Sequence, residues 1–335
     1  MKYYVGHPLQ TRGMEEYVLQ NGKGQGMKFL YVRNGIGLEL WIALDRCADV
    51  YRVSYNGKNA GFMSPVGNVH PAYYDVHNNG FLKNFTAGFF TTVGFEGAGA
   101  PCEDNGEYVP QHGSIGNTPA EGYSFEETEE ALKITAIIRD CILFGRRMVL
   151  KRTYTVSYTE NKFTLNDTIS NEGEKEAEFL LLYHCNMGYP LLNENSIVRF
   201  PNKKMWANDE EAQKNIDTAL VMEKPQQGFN ERCYFFDAKE DENGRAKAGI
   251  FSPDFDIGLT LSYDKKALPC ITEWKMMGRR DYVLGIEPGN CFPSPRCKMR
   301  EQGVLPFLSV DESYSTQITF SFTHDLYEFN KEFQK

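Results

Sequence analysis

A chain of 335 residues with 41% hydrophobic and 24% charged residues carries enough apolar material for a large core, and a net charge of −9 argues against a nucleic-acid backbone as partner. Met1 to Gln20 hold no long apolar run after a basic start, and no window approaches the roughly 20 apolar residues of a membrane helix, so neither a secretory leader nor a membrane span is expected. Eight cysteines, none in a Cys-x-x-Cys pair, read as free thiols of a cytoplasmic protein.

The dominant pattern along the chain is period-two alternation. Leu38, Leu40, Ile42 and Leu44 alternate with Glu39, Trp41 and Ala43. Leu132, Ile134, Ala136 and Ile138 alternate with Lys133, Thr135 and Arg139, and Leu150, Tyr154 and Val156 face away from Lys151, Thr153 and Thr155. Ile318, Phe320 and Phe322 repeat the pattern near the end. Short alternating runs closed by Gly, Asn, Asp or Pro predict half-buried antiparallel strands. Residues 207–216 form the best helical stretch, and it is brief. No linker divides the strands, so an all-β fold in one domain spanning 1–335, a many-stranded sandwich, is expected.

Residues 61–120 break the alternation. The segment is rich in Gly, Asn, Pro and aromatics, among them Phe81, Phe85, Phe89 and Phe90. Irregular stretches this long tend to be functional or disordered, and the aromatics argue for order. The segment is expected to wall a cleft and to contain short strands such as Phe89–Val93; packed surface loops are the plainer alternative.

Three motifs carry candidate chemistry. His184 follows the apolar run Phe179–Tyr183, and on a strand it shares a face with Asn186. Such a strand looks as if it ends in a polar pocket, although a structural core histidine gives the same pattern. Glu287 closes the apolar run Tyr282–Ile286 and precedes Pro288 and Gly289. Pro288 is expected to stop ladder pairing, and Gly285 to leave space beside the carboxylate; a turn-capping glutamate is the alternative. His112 lies in the sharp loop Gln111-His112-Gly113-Ser114-Ile115-Gly116-Asn117, where it can reach a ligand or merely brace the loop. His70 and His77 flank Asp75 at a spacing that points only faintly to a metal. No phosphate-binding Gly-rich loop and no Gly-x-Ser-x-Gly elbow is present.

At the three motifs around His112, Leu182-Tyr183-His184-Cys185-Asn186 and Gly285-Ile286-Glu287-Pro288-Gly289, the sequence resembles the aldose 1-epimerases, the galactose mutarotase-like superfamily, in a divergent branch. The resemblance covers nearly the whole chain and implies a large antiparallel β-supersandwich with a cleft across one sheet. It implies Glu287 as general base on the anomeric hydroxyl, His184 as general acid on the ring oxygen, and His112 as a sugar-binding group. Neither metal nor organic cofactor is then required.

The Asn-Arg pair that grips the sugar in typical mutarotases has no counterpart in Leu82-Lys83-Asn84-Phe85. Lys83, Asn84 or Arg46 are its candidate substitutes, with Asn186 and Trp274 as further sugar contacts. A structural salt bridge is the alternative for Arg46, and a core position for Trp274. The expected partner is a small carbohydrate, bound by a monomer or homodimer. An isomerase or lyase of a modified sugar on the same scaffold, a non-catalytic carbohydrate-binding or sensing protein, and a metal enzyme using His70, His77 and His112 remain alternatives.

Overall fold

The alternating runs become antiparallel strands in a computed structural model that describes residues 3–334. Leu38, Leu40 and Ile42 are buried in strand Leu38–Ala43, Leu132 to Ile138 bury every second side chain in Ala131–Cys141, and Ile318, Phe320 and Phe322 do so in Ser313–Thr323. One apolar face per strand fixes the register, because a one-residue slip would turn that face to water.

Three sheets carry the architecture. A five-stranded sheet runs in chain order through Gly13–Val18, Lys28–Arg33, Leu38–Ala43, Asp49–Tyr55 and Lys58–Asn59. An eight-stranded sheet is ordered Ala120–Glu127, Ala131–Cys141, Arg147–Ser157, Lys162–Asn171, Ser313–Thr323, Ile257–Asp264, Arg245–Ser252 and Ile197–Arg199. A six-stranded sheet is ordered Asn202–Ala207, Arg232–Ala238, Cys270–Met277, Tyr282–Gly289, Leu180–Met187 and Phe90–Phe95. The last two pack face to face: Phe90 meets Phe320 with ring centres 6.1 Å apart, and the Tyr183 hydroxyl donates to Asp167 at 2.8 Å. One apolar cluster draws buried residues from all three sheets, from Leu30 to Phe322. No helix among the described residues is long and apolar enough to cross a membrane.

A buried arginine joins the sheets. Arg152 is fully buried on the apolar side of its strand. Its guanidinium donates to Asp167 of the neighbouring strand at 2.6 and 3.0 Å, to Thr92 of the six-stranded sheet at 2.9 Å, and to Asp49 and the Cys47 carbonyl of the N-terminal sheet. Asp49 in turn accepts from the Thr92 amide and hydroxyl at 2.8 and 2.5 Å.

Several sequence expectations need correction. Residues 61–120 are less irregular than their composition suggests. They hold the short strands Phe62–Met63, Ala87–Gly88, Cys102–Asp104 and Glu107–Val109, the helix Gly80–Asn84, and a full strand that spans Phe90–Phe95 rather than Phe89–Val93. The stretch 207–216 splits, because Ala207 stays in a strand paired with Tyr234 while Asp209 caps a helix limited to Glu210–Lys214. Pro288 does not stop pairing. It lacks only the N–H donor, remains extended and sits opposite Ile271, so Glu287 lies within its strand and not at its end.

The Glu273-Trp274-Lys275 run also divides by face. Trp274 pairs with Gly285 on the outer face, while Glu273 opposite Ile286 points inward, is 0% exposed, and has no protein partner for either oxygen. Lys275, on the same inner face, donates instead to the Thr218 and Val221 carbonyls at 3.0 and 2.6 Å. Burial pushes the Glu273 carboxyl up to about 8, with Lys275 opposing the shift.

Replacing Arg152 by Met is expected to cost about 3–5 kcal/mol in urea unfolding, because two buried carboxylates lose their cation; a loss below about 1 kcal/mol would contradict the linking role. For Glu273, the unfolded chain releases its proton above about 4.5 while the fold holds it until about 8, so its contribution to stability falls as pH rises through that window. Glu273→Gln removes this slope. Between pH 5 and pH 8 the wild type should lose on the order of 3 kcal/mol more than the variant, and parallel pH curves would refute the assignment.

Candidate active site

The strand register brings a row of side chains across the outer face of the six-stranded sheet. Thr91 pairs with His184, Thr272 with Glu287, Phe235 with Thr272, and Trp206 with Phe235. The register that sets Cys185 opposite Ile286 and Leu182 opposite Gly289 places His184 opposite Glu287. A second row holds Asn186, Gly285, Trp274 and Cys233. Residues nearly a hundred positions apart in sequence thus lie one strand spacing apart.

His184 Nε2 lies 3.3 Å from Glu287 Oε1, and the two residues are 5% and 2% exposed. The approach is close, yet Glu287 Oε1 makes no hydrogen bond of acceptable geometry, and His184 Nδ1 has no protein partner. Burial disfavours charge on both: it pushes Glu287 well above the usual carboxylate range, reinforced by the Glu231 charge, and pulls His184 down to about 3, reinforced by His112. Both groups are thus biased towards their neutral forms, a carboxyl beside a neutral imidazole.

Gly285 does not open space for a ligand. A Cβ there would collide with Glu287 Oε1 and lie 2.8 Å from the Trp274 Cβ, so the room beside Glu287 is filled by its own carboxylate folding back over the glycine.

His112 reaches the pair from the loop. Its backbone is left-handed at φ 58°, followed by Gly113 at φ 70°, where a Cβ would run into the Gly94 carbonyl. This strained turn is pinned by His112 N to Gly99 O at 2.9 Å and Gly94 N to His112 O at 3.2 Å. The ring stands 5.7 Å from His184, nearly perpendicular. Its Nδ1 lies 3.2 Å from the Ala98 carbonyl, which can only accept, so Nδ1 carries the hydrogen and Nε2 is left as an acceptor. Enclosure lowers the His112 pKa to about 4. Phe85 and Trp274 complete the surround of His184, each with ring centres 5.2 Å away.

The remaining predicted residues divide. Asn186 is fully buried on the His184 face; its amide donates to the His184 carbonyl at 2.8 Å, and its Oδ1 has no protein partner. Trp274 is half-buried on the cleft face, and its indole donates to Glu231 at 2.8 Å. Arg46 and Asn84 are bonded to each other. Arg46 donates to the Asn84 side chain, to its carbonyl at 3.0 Å and to the Val69 carbonyl at 2.9 Å, tying down the segment that carries Phe81 and Phe85. Among the described residues Arg46 makes no salt bridge: carbonyl and amide oxygens take its protons. Lys83 sits on the exposed side of its short helix; its amide donates to the Asn79 carbonyl at 3.1 Å, and among the described residues its side chain joins no hydrogen bond or ion pair.

His70 caps a turn by accepting from the Ala72 amide, and His77 packs on Tyr108 at 4.3 Å. Among the described residues no group of three or more His, Cys, Asp or Glu is placed to hold a metal.

Thr272 and Glu231 escaped the sequence reading. Thr272 is 0% exposed, and its hydroxyl has no protein partner. Only the cross-strand register to Glu287 singles it out. Thr272 Oγ1, Glu287 Oε1, His184 Nδ1 and Asn186 Oδ1 are four partnerless buried polar atoms on one face of three adjacent strands. Such atoms cost about 1–3 kcal/mol each, so their concentration singles out this face as the candidate site.

Comparison with known proteins bears on the fold. A crystal structure of a candidate aldose 1-epimerase from Klebsiella pneumoniae subsp. pneumoniae superposes with a TM-score of 0.90 at 25% identity, covering 95% of this chain and 85% of that one. A galactose mutarotase-like protein from Clostridium acetobutylicum gives 0.66 at 14% identity over 93% and 99%. A galactose 1-epimerase from Lactobacillus acidophilus NCFM gives 0.61 at 12% identity over 93% and 99%. No curated protein matches the chain in sequence. Residues 24–322 match the family described as "Domain of unknown function (DUF4432)". The chain belongs to that family, a divergent branch built on the galactose mutarotase-like β-supersandwich of the aldose 1-epimerases.

Proposed function

We propose that the protein is an aldose 1-epimerase that interconverts the anomers of a sugar by proton transfer through Glu287 and His184. The observation that carries this reading is the buried His184–Glu287 pair, 3.3 Å apart among polar atoms with no partner among the described residues. Ring opening needs one proton removed from the anomeric hydroxyl and one delivered to the ring oxygen. With Glu287 as carboxylate and His184 as imidazolium, Glu287 takes the first and His184 gives the second. The C1–O5 bond breaks, the open-chain aldehyde rotates about C1–C2, and reclosure from the other face reverses both transfers. The resting neutral pair reaches that arrangement by passing the Glu287 proton to His184, with no net change in charge. Bound hydroxyls supply the hydrogen bonds that favour the charged form. His112, with Nε2 as acceptor, orients a sugar hydroxyl.

Each positioned acid or base supplies about 10²–10⁴ in rate. Glu287→Gln and His184→Ala should each lower anomer interconversion at least 100-fold, followed by polarimetry across a panel of aldoses; unchanged rates would refute the assignment. The acid limb of kcat/KM should fall well below pH 6, because burial holds His184 near 3, and a limb at the 6.5 of free imidazole would contradict it. Gly285→Ala should fold normally by circular dichroism yet lose tenfold or more in kcat, since the methyl displaces the Glu287 carboxylate. Wild-type turnover in that variant would show that the carboxylate position is not critical.

A further inference from the structure

The turn that joins strands Ala131–Cys141 and Arg147–Ser157 reads Ile142-Leu143-Phe144-Gly145-Arg146, with three apolar residues in a row. Leu143 and Phe144 are 80% and 92% exposed. Gly145 N donates to Ile142 O at 2.9 Å to close the turn, which puts Phe144 at its third position with φ 62°. That left-handed conformation suits Gly or Asn and strains a phenylalanine. The base of the turn is fixed, because Arg146 is bound by Asp140 at 2.7 Å and by Glu96. A bulky ring displayed to water on a fixed base gains nothing for the fold; exposed apolar runs of this kind mark contact surfaces.

More apolar surface lies at the same end of the eight-stranded sheet. Cys141 pairs with Arg147, Met148 with Asn171 and Ser170 with Ser313, so the turn, the stretch after Asn171 and the stretch before Ser313 share this end. The stretch before Ser313 brings Val304, Phe307 and Val310, and Phe307 pairs with Glu178 of the stretch after Asn171. With Ile142, Leu143 and Phe144 they are 41–92% exposed and offer roughly 700 Å². A standard interface takes about 800 Å² from each partner, and the largest apolar patch of a typical monomer is about 300–600 Å². Ile142, Phe144 and Ala177 line a groove of about 420 Å³ here. Four acidic and four basic side chains complete its lining, Glu174, Glu176 and Glu178 against Arg146, Arg147 and Lys175 among them. On a chain of net charge −9 this groove is neutral.

We infer that this end is a two-fold interface with a second copy of the chain, the Leu143–Phe144 tip of each copy seated in the groove beside the other's tip. A two-fold contact joins one patch to itself, so the patch must supply both a projection and a recess, and both signs of charge. The turn, the groove and its balanced lining meet those needs. Two copies at −9 each repel over most of their surface, and they approach at least cost where the local charge cancels. The glutamates beside the tip disfavour an anionic membrane as the partner. Arg146 and Arg296 of the lining also hold Glu96, by its side chain and its carbonyl, two residues before the Ala98 carbonyl that fixes His112. The contact therefore backs the His112 loop, and it does not depend on the epimerase reading.

Sedimentation velocity of the full chain, over a concentration series up to about 100 µM, reads the association directly. A species of twice the chain mass should form with a Kd on the order of 1 µM or below. Leu143→Glu and Phe144→Gly should each raise that Kd about 100-fold or more. Phe144→Gly also relieves the left-handed strain, so its thermal midpoint should hold or rise, and loss of the dimer in that variant is then not misfolding. A single species of the chain's own mass at every concentration, or a dimer whose affinity neither substitution changes, would overturn the interface. A monomeric wild type that sediments with phosphatidylglycerol vesicles, and loses that binding in Phe144→Gly, would overturn it in favour of a lipid surface.

Discussion

The Arg152 guanidinium is the contact on which the arrangement of the site depends. It sits at the meeting point of three sheets and bonds one group from each: Asp167 beside it, Asp49 from the N-terminal sheet and Thr92 from the six-stranded sheet. Thr92 pairs with Tyr183, whose hydroxyl also reaches Asp167. Thr91 and His184 are their immediate neighbours on the opposite face, so what holds Thr92 and Tyr183 from behind fixes where His184 stands in front. A buried cation between two carboxylates is weak evidence for net stability, but it is directional. It constrains the sheets more sharply than aliphatic packing does.

On the front face the controlling term is desolvation. A carboxyl and an imidazole at this depth both favour their neutral forms. The same enclosure leaves four polar atoms without a partner among the described residues. Gly285 belongs to this economy of space, because the carboxylate occupies the volume a side chain would take. The strained backbone of His112 belongs to it too, since only a left-handed turn brings that ring over the pair.

The architecture was legible because period-two patterns report burial directly. The strands around Leu40, Ile134 and Phe320 stand where the alternation put them. His112, His184 and Glu287 were legible as motifs, and they converge. What the sequence could not supply was cross-strand register. Thr272 and Trp206 look ordinary in their own segments and acquire meaning only opposite Glu287 and Phe235. Arg152 had a visible sign, a charge at a position in phase with Leu150, Tyr154 and Val156, but its partners lie on three separate strands. Arg46 and Asn84 each look like a sugar ligand in sequence, and their mutual bond is not visible from residues 38 positions apart.

Burial disfavours charge on both His184 and Glu287, so His184 should stay neutral through the neutral range. Nitrogen-15 NMR of labelled imidazoles, titrated from pH 8 to pH 4 with His184 assigned by its Gln variant, tests it most directly. His184 is expected to keep the shifts of a neutral ring throughout. A His184 that becomes imidazolium with a midpoint near 6.5 would contradict it.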